Sequence, residues 1–180
     1  VNVHTGAKRL IGRSYRTAPK WSVNGKWAVM YDPIAQVWNK FDGATGKVVN
    51  ISDAIGYPMF VESYDKPAPA PAYGIAGWTA DGNNVFLYDA YDWWKIDLTG
   101  ERQPECLTKG YGRKHGKSIR KMTSNIDKDV FQKDETVIVS LWDKDTMDEG
   151  VYQLDMKGRL KKLMEGNYVY TIHRFSDNHK

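Results

Sequence analysis

Cysteine is nearly absent from this chain: Cys106 stands alone among 180 residues. Neither an internal disulfide nor a multi-cysteine zinc site can form, and the residue carries no information on compartment. Long apolar runs are lacking too. The uncharged stretches fall well short of the ~18 apolar residues that cross a bilayer, so no membrane span is expected. No signal peptide opens the chain, and it starts on Val1 rather than Met, so the true N-terminus is expected upstream. Histidine is sparse, and none of His4, His115, His173 and His179 falls in H-x-x-x-H or H-E-x-x-H spacing. Surface or hydrogen-bonded histidines are the expectation. There is no G-x-S-x-G nucleophile elbow. The sequence therefore offers no catalytic residue, no metal ligand set and no cofactor-binding motif. Helical periodicity with matching caps is also lacking.

What the chain has is rings and turns. It carries 7 Trp, 11 Tyr and 5 Phe with 16 Gly and 7 Pro, a mixture that favours strands joined by turns. Apolar residues make up 41% and charged residues 27%, enough to build a core. Net charge is only +4.

The aromatics recur in phase. Trp21-Ser22-Val23-Asn24-Gly25-Lys26 returns 57 residues later as Trp78-Thr79-Ala80-Asp81-Gly82-Asn83, and Tyr31-Asp32 returns at the same offset as Tyr88-Asp89. Phe41-Asp42 answers to Ile96-Asp97, and Ile51-Ser52 to Leu107-Thr108, with slippage that loops of unequal length produce. A weaker third copy has its turn at Lys133-Asp134-Glu135, a strand over 137–141 and strand ends at Leu154-Asp155 and Leu163-Met164. Each unit reads as four short strands, with Asn-Gly or Asp-Gly turns that accept positive φ and period-two alternation over Val37 to Phe41.

Tandem four-stranded units of this length mark a β-propeller. The fold class is all-β, with about three complete blades and partial blades at both ends. Residues 1–14 close a preceding blade, 15–52, 73–108 and 118–165 are blades, and 168–180 begin another. A β-sandwich also uses many short strands but leaves the in-phase repeat unexplained. Three blades cannot close a ring, since rings need at least about four. Exposed blade edges are therefore expected, with self-association or an open arc as the outcome, around Val1, Val3, Tyr168 and Tyr170.

Two connections exceed a simple turn. Residues 53–73 contain Lys66-Pro67-Ala68-Pro69-Ala70-Pro71-Ala72, whose alternating prolines favour an extended chain. It is either a plain surface connection or a loop reaching toward a substrate or another domain. Residues 109–121 carry Lys109, Arg113, Lys114, Lys117, Arg120 and Lys121 with no acid. A phosphate loop needs Gly five residues before Gly116, where Tyr111 stands, and a helix afterwards, where 119–124 reads as a strand. A nucleic-acid partner needs a basic face drawn from many elements, and outside this segment the chain is slightly acidic. The segment is a solvated connection or a contact for carboxylates. The run Asp143 to Gly150 fails the calcium-loop pattern and reads as an exposed hairpin. The tryptophans at 21, 78, 93 and 94 fall at repeat positions and are expected mostly in packing.

Tyr73-Gly74-Ile75-Ala76-Gly77-Trp78-Thr79, then Tyr88-Asp89-Ala90-Tyr91-Asp92-Trp93-Trp94-Lys95-Ile96-Asp97, then Leu107 to Arg113 together resemble a blade of exported bacterial serine peptidases. These belong to the prolyl oligopeptidase and dipeptidyl-peptidase group. The resemblance covers most of residues 17–113, and the Trp-Ser-x-Asn-Gly-Lys opening is shared with TolB-like propellers. It implies the non-catalytic propeller of a peptidase, screening or positioning peptide substrates for an α/β-hydrolase domain, and a periplasmic or exported location. No triad residue can be carried over, and no substrate-binding residue is assigned. The chain itself is expected to hydrolyse no peptide or ester. The alternative is a TolB-like or WD-repeat-like propeller acting as a protein-binding scaffold with no enzyme attached.

Overall fold

The computed structural model describes residues 5–8, 18–122 and 129–171. The partial units expected at 1–14 and 168–180, with Val1 and Val3, lie wholly or largely outside them. The first sheet contains β1 (Lys20–Trp21), β2 (Trp27–Asp32), β3 (Val37–Asp42) and β4 (Val48–Asn50), hydrogen-bonded in chain order. The second contains β5 (Ile75–Thr79), β6 (Asn84–Tyr88), β7 (Trp93–Asp97) and β8 (Glu105–Cys106). One helical turn, α1 (Tyr111–Lys114), leads into the third sheet, which opens on β9 (Lys117–Lys121). After β10 (Val130–Phe131) come β11 (Thr136–Asp143), β12 (Glu149–Asp155) and β13 (Leu160–Gly166). The third sheet is ordered β9, β11, β12, β13, again antiparallel throughout. Three successive antiparallel four-stranded meanders make the chain a β-propeller segment.

The repeat is visible in the register. Trp21 lies opposite Ala28, and Trp78 opposite Val85, so both pairs are displaced by the same 57 residues. The turns after them share one hydrogen-bond pattern. Ser22 Oγ accepts from Trp27 N–H at 3.1 Å, and Thr79 Oγ1 accepts from Asn84 N–H at 3.0 Å. Asn24 Oδ1 accepts from Lys26 N–H, and Asp81 Oδ1 from Asn83 N–H. The two turns also touch: Asn24 Nδ2 donates to the Asp81 carbonyl at 2.9 Å.

Strand alternation sends the two faces of the middle blade into different cores. Val85 and Leu87 of β6 pack with Val29, Tyr31 and Trp38 of the first blade. Phe86 and Tyr88, on the other face, pack with Val139, Leu141 and Leu154 of the third. Trp93 is fully buried in that second core. Each interface is therefore a continuous apolar layer, where a fully buried Leu, Val or Phe contributes about 1.5–3 kcal/mol.

The four-strand expectation needs two corrections. The middle sheet has five strands, because β10 pairs in parallel with β5, Val130 opposite Trp78. Gly77 makes this possible: a Cβ there would sit 2.5 Å from the Phe131 ring and 2.7 Å from the Asp129 carbonyl oxygen. The second correction is α1 itself, inside a stretch read as a plain connection. Gly112 lets it dock, since a Cβ would fall 2.6 Å from the Tyr91 oxygen and 2.7 Å from that of Lys117.

Candidate functional site

An aspartate closes the hairpin between the second and third strands of every blade. Asp32 Oδ1 accepts from the amides of Ile34 and Ala35, and Asp143 Oδ1 from those of Asp145 and Thr146. In the middle blade Asp89 Oδ1 accepts from Tyr91 and Asp92 at 2.7 and 2.6 Å. A side-chain oxygen bonding the backbone two and three residues on is a local turn device. The run from Asp143 is thus the hairpin the sequence suggested, and backbone hydrogen bonds from Thr146 and Asp145 hold the Asp143 carboxyl below its ordinary range.

Only in the middle blade does the aspartate reach further. Asp89 is fully buried, and its Oδ2 accepts from Trp94 Nε1 at 3.0 Å and from the Arg113 guanidinium at 2.9 Å. Burial opposes the Arg113 charge, but the hydrogen bond and charge of Asp89 outweigh it and raise its pKa. The guanidinium lies over the Tyr57 ring, 3.7 Å from its centroid, and 5.0 Å from that of Tyr91. A planar cation against two aromatic faces is held by quadrupole attraction and stacking.

Asp92, also buried, anchors α1. Its Oδ1 accepts from Thr108 Oγ1 at 2.6 Å and Gly112 N–H at 2.9 Å, and its Oδ2 from Arg113 N–H at 3.0 Å. Behind these, Arg120 donates to the carbonyls of Asp89, Ala90 and Ile119 while facing the Tyr88 ring at 4.7 Å. Burial pulls the Arg120 pKa down and pushes the Tyr88 hydroxyl up to about 12. The two buried carboxylates are thereby satisfied by amides, a hydroxyl, an indole and a guanidinium, as buried charge requires.

These groups border an open cavity of about 460 Å³, walled by Tyr57, Trp94, Cys106 and Arg113, with Lys114 and Gly110 at its margin. The volume suits a side chain or small ligand. Its polar character is one-sided: Arg113 and Lys114 are donors, while the Asp92 oxygens are already engaged. Burial raises the Cys106 thiol pKa, and Sγ accepts from Gly110 N–H. The cavity can therefore receive an acceptor oxygen on Arg113 with an apolar group against Tyr57 and Trp94.

The basic segment resolves into particular contacts. Arg113 pairs with Asp89, Lys117 with Glu165, Lys121 with Asp129, and Arg120 holds carbonyls. These are contacts for carboxylates, but within the chain. Gly116-Lys117-Ser118 runs into strand β9, not into the helix that a phosphate loop needs. His115 stacks on Tyr111, its Nδ1 2.8 Å from the Tyr111 carbonyl oxygen; His4, His173 and His179 lie outside the described residues. Among the described residues, no group of three or more His, Cys, Asp or Glu could hold a metal ion. No described helix is long and apolar enough to cross a membrane.

The tryptophans split. Trp78 and Trp93 are core, Trp94 lines the cavity, and Trp21 is half exposed beside Phe41. The proline-rich connection packs on the chain it joins. Ile55 and Met59 bury under the first blade and Tyr31 OH donates to the Ala70 carbonyl, while Tyr57 reaches across to Arg113. Tyr57, Asp89, Asp92 and Arg113 were not singled out as a site by sequence. Asp89 and Arg113 lie 24 residues apart, and no local pattern joins them.

No family model matches the chain, and no curated protein matches it. Among solved structures it is similar to a protein assigned as TolB from Agrobacterium tumefaciens, with TM-score 0.49 and 14% identity over 87% of this chain. The match takes in 52% of that structure, so the chain spans about half its length.

Proposed function

We propose that this segment is a non-catalytic, peptide-binding propeller scaffold that works through the end bearing the β6–β7 hairpin and α1. One observation carries the reading: a guanidinium fixed by a buried carboxylate sits over the Tyr57 ring at the wall of an aromatic cavity. Such an arginine is pre-ordered, so it gives a hydrogen bond to a peptide carbonyl or carboxylate at little entropic cost. Tyr57 and Trp94 supply the apolar surface for the neighbouring side chain.

Titration of the full chain with a library of short peptides, followed by Trp fluorescence, tests it. Saturable binding that weakens at least tenfold in Arg113→Gln supports the reading. An absence of saturable binding, or affinity indifferent to Arg113, overturns it.

A finer version places the segment in a serine peptidase of the prolyl oligopeptidase group, exported from the cell. Its support is the resemblance of residues 17–113, and the role is the same one: admitting and positioning peptides for a hydrolase domain. A G-x-S-x-G followed by Asp and His in the parent open reading frame would establish that version; a parent composed of propeller alone leaves the scaffold.

A further inference from the structure

At the opposite end of the middle and third blades lies a second cavity, of about 480 Å³. Alternation explains its floor. Phe86 and Phe131 close the inter-blade core from below, and on β7 the face that carries Trp93 carries Lys95 two residues later. Lys95 and Arg102 belong to the middle blade, Lys133 to the turn between β10 and β11, and Lys157 to the β12–β13 turn of the third blade. Four cations thus border one cavity.

Their carboxylate neighbours already hold hydrogen-bond donors, and the bonds from Thr79 and Asn83, with the Lys95 charge after them, keep the Asp81 carboxyl below its ordinary range. Asp81, the one acid in the lining, accepts from Thr79 Oγ1 at 2.5 Å and from Asn83 N–H and Nδ2. Asp97 holds the amides of Thr99, Glu101 and Arg102; Asp155 pairs with Arg159; Glu135 Oε2 accepts from Gln132 N–H. Among the described residues the ion pairs are formed by other cations, and none of these four takes part in one. Lys20, Lys47 and Lys66 also take part in no ion pair among the described residues; what sets these four apart is that they border one cavity. Lys95 is half-buried and Arg102, Lys133 and Lys157 are exposed; like charges gathered round one cavity raise the local concentration of anions.

We propose that this cavity binds a small polyanion carrying at least two phosphate or carboxylate groups over the Phe86 and Phe131 floor. A single inorganic ion would leave most of the volume empty, whereas cavities of this size hold organic ligands. The site is separate from the aromatic cavity, and its occupation does not depend on peptide binding there.

Isothermal titration of the full chain at low ionic strength, with pyrophosphate and citrate as separate arms, tests the proposal. Saturable one-to-one binding of either is expected, falling steeply with added salt as screening sets in. Tighter pyrophosphate assigns a phosphorylated ligand, tighter citrate a polycarboxylate. Lys95→Gln with Lys157→Gln, which takes one cation from each blade, should weaken binding at least tenfold. Lys47→Gln with Lys66→Gln, the same charge change on exposed residues elsewhere, should alter it less than twofold. Arg102→Gln alone, at an exposed position that does not threaten folding, should cost several-fold. The proposal fails if neither anion binds saturably, or if both double variants weaken binding equally.

Discussion

At the scale of single residues, aspartate does more here than any other side chain. Asp32, Asp89 and Asp143 occupy one structural place, yet only Asp89 has both oxygens in use and no exposure. Removing it leaves Trp94 Nε1, two amides and a guanidinium without their acceptor. Asp89→Ala is expected to cost about 3 kcal/mol, against about 1 kcal/mol for Asp32→Ala, whose amides can turn to water. Urea midpoints of the two variants check the contrast; equal losses would reduce Asp89 to one more turn residue. The Tyr-Asp repeat made Asp32 and Asp89 legible as equivalent, while Asp143 follows Trp142 and falls outside that pattern. What set Asp89 apart was not legible, because its partner Arg113 comes from a helical turn of only four residues, too short for any periodic signal.

At the scale of elements, antiparallel neighbours followed from the turns, and the parallel strand did not. Asn-Gly and Asp-Gly mark hairpins because the pairing partner is the next stretch of chain. β10 joins β5 across the rest of the middle blade, α1 and β9, through two residues, and nothing within 130–131 announces it. Gly77 is the trace it leaves in the sequence, read only as part of a strand. Gly77→Val would drive a branched side chain into the Phe131 ring and the Asp129 oxygen. The expected result is detachment of β10. The amides of Trp78 and Ala80, which donate to Asp129 and Phe131 at 2.7 and 3.0 Å, should lose hydrogen-exchange protection while those of β6 keep theirs. Unchanged protection at Trp78 would refute the account.

At the scale of the whole molecule, the blades are alike in register and unlike in surroundings. Trp21 and Trp78 sit at matched positions, but exposure is 52% for the first and 6% for the second, which packs against Val85 and Leu87 in the layer between two blades. Trp78→Ala should therefore cost about 3–5 kcal/mol, and Trp21→Ala under about 1 kcal/mol. Comparable thermal shifts in the two variants would show that the interface does not govern stability. The repeat was readable because each blade must present the same two faces to its neighbours. The cavities were not, since both collect side chains from separate blades and connections.

The contact of Arg113 on Tyr57 also bears on how the chain is made. Tyr57 precedes Arg113 by 56 residues. At translation speeds of about 5–20 residues per second, one wall of the aromatic cavity leaves the ribosome about 3–11 s before the residue that completes it. In that interval the middle blade must form its hairpins with the tip of the proline-rich connection still unclasped. The pocket is thus a late product of synthesis, assembled only when α1 emerges and lays its arginine across a ring that has been waiting.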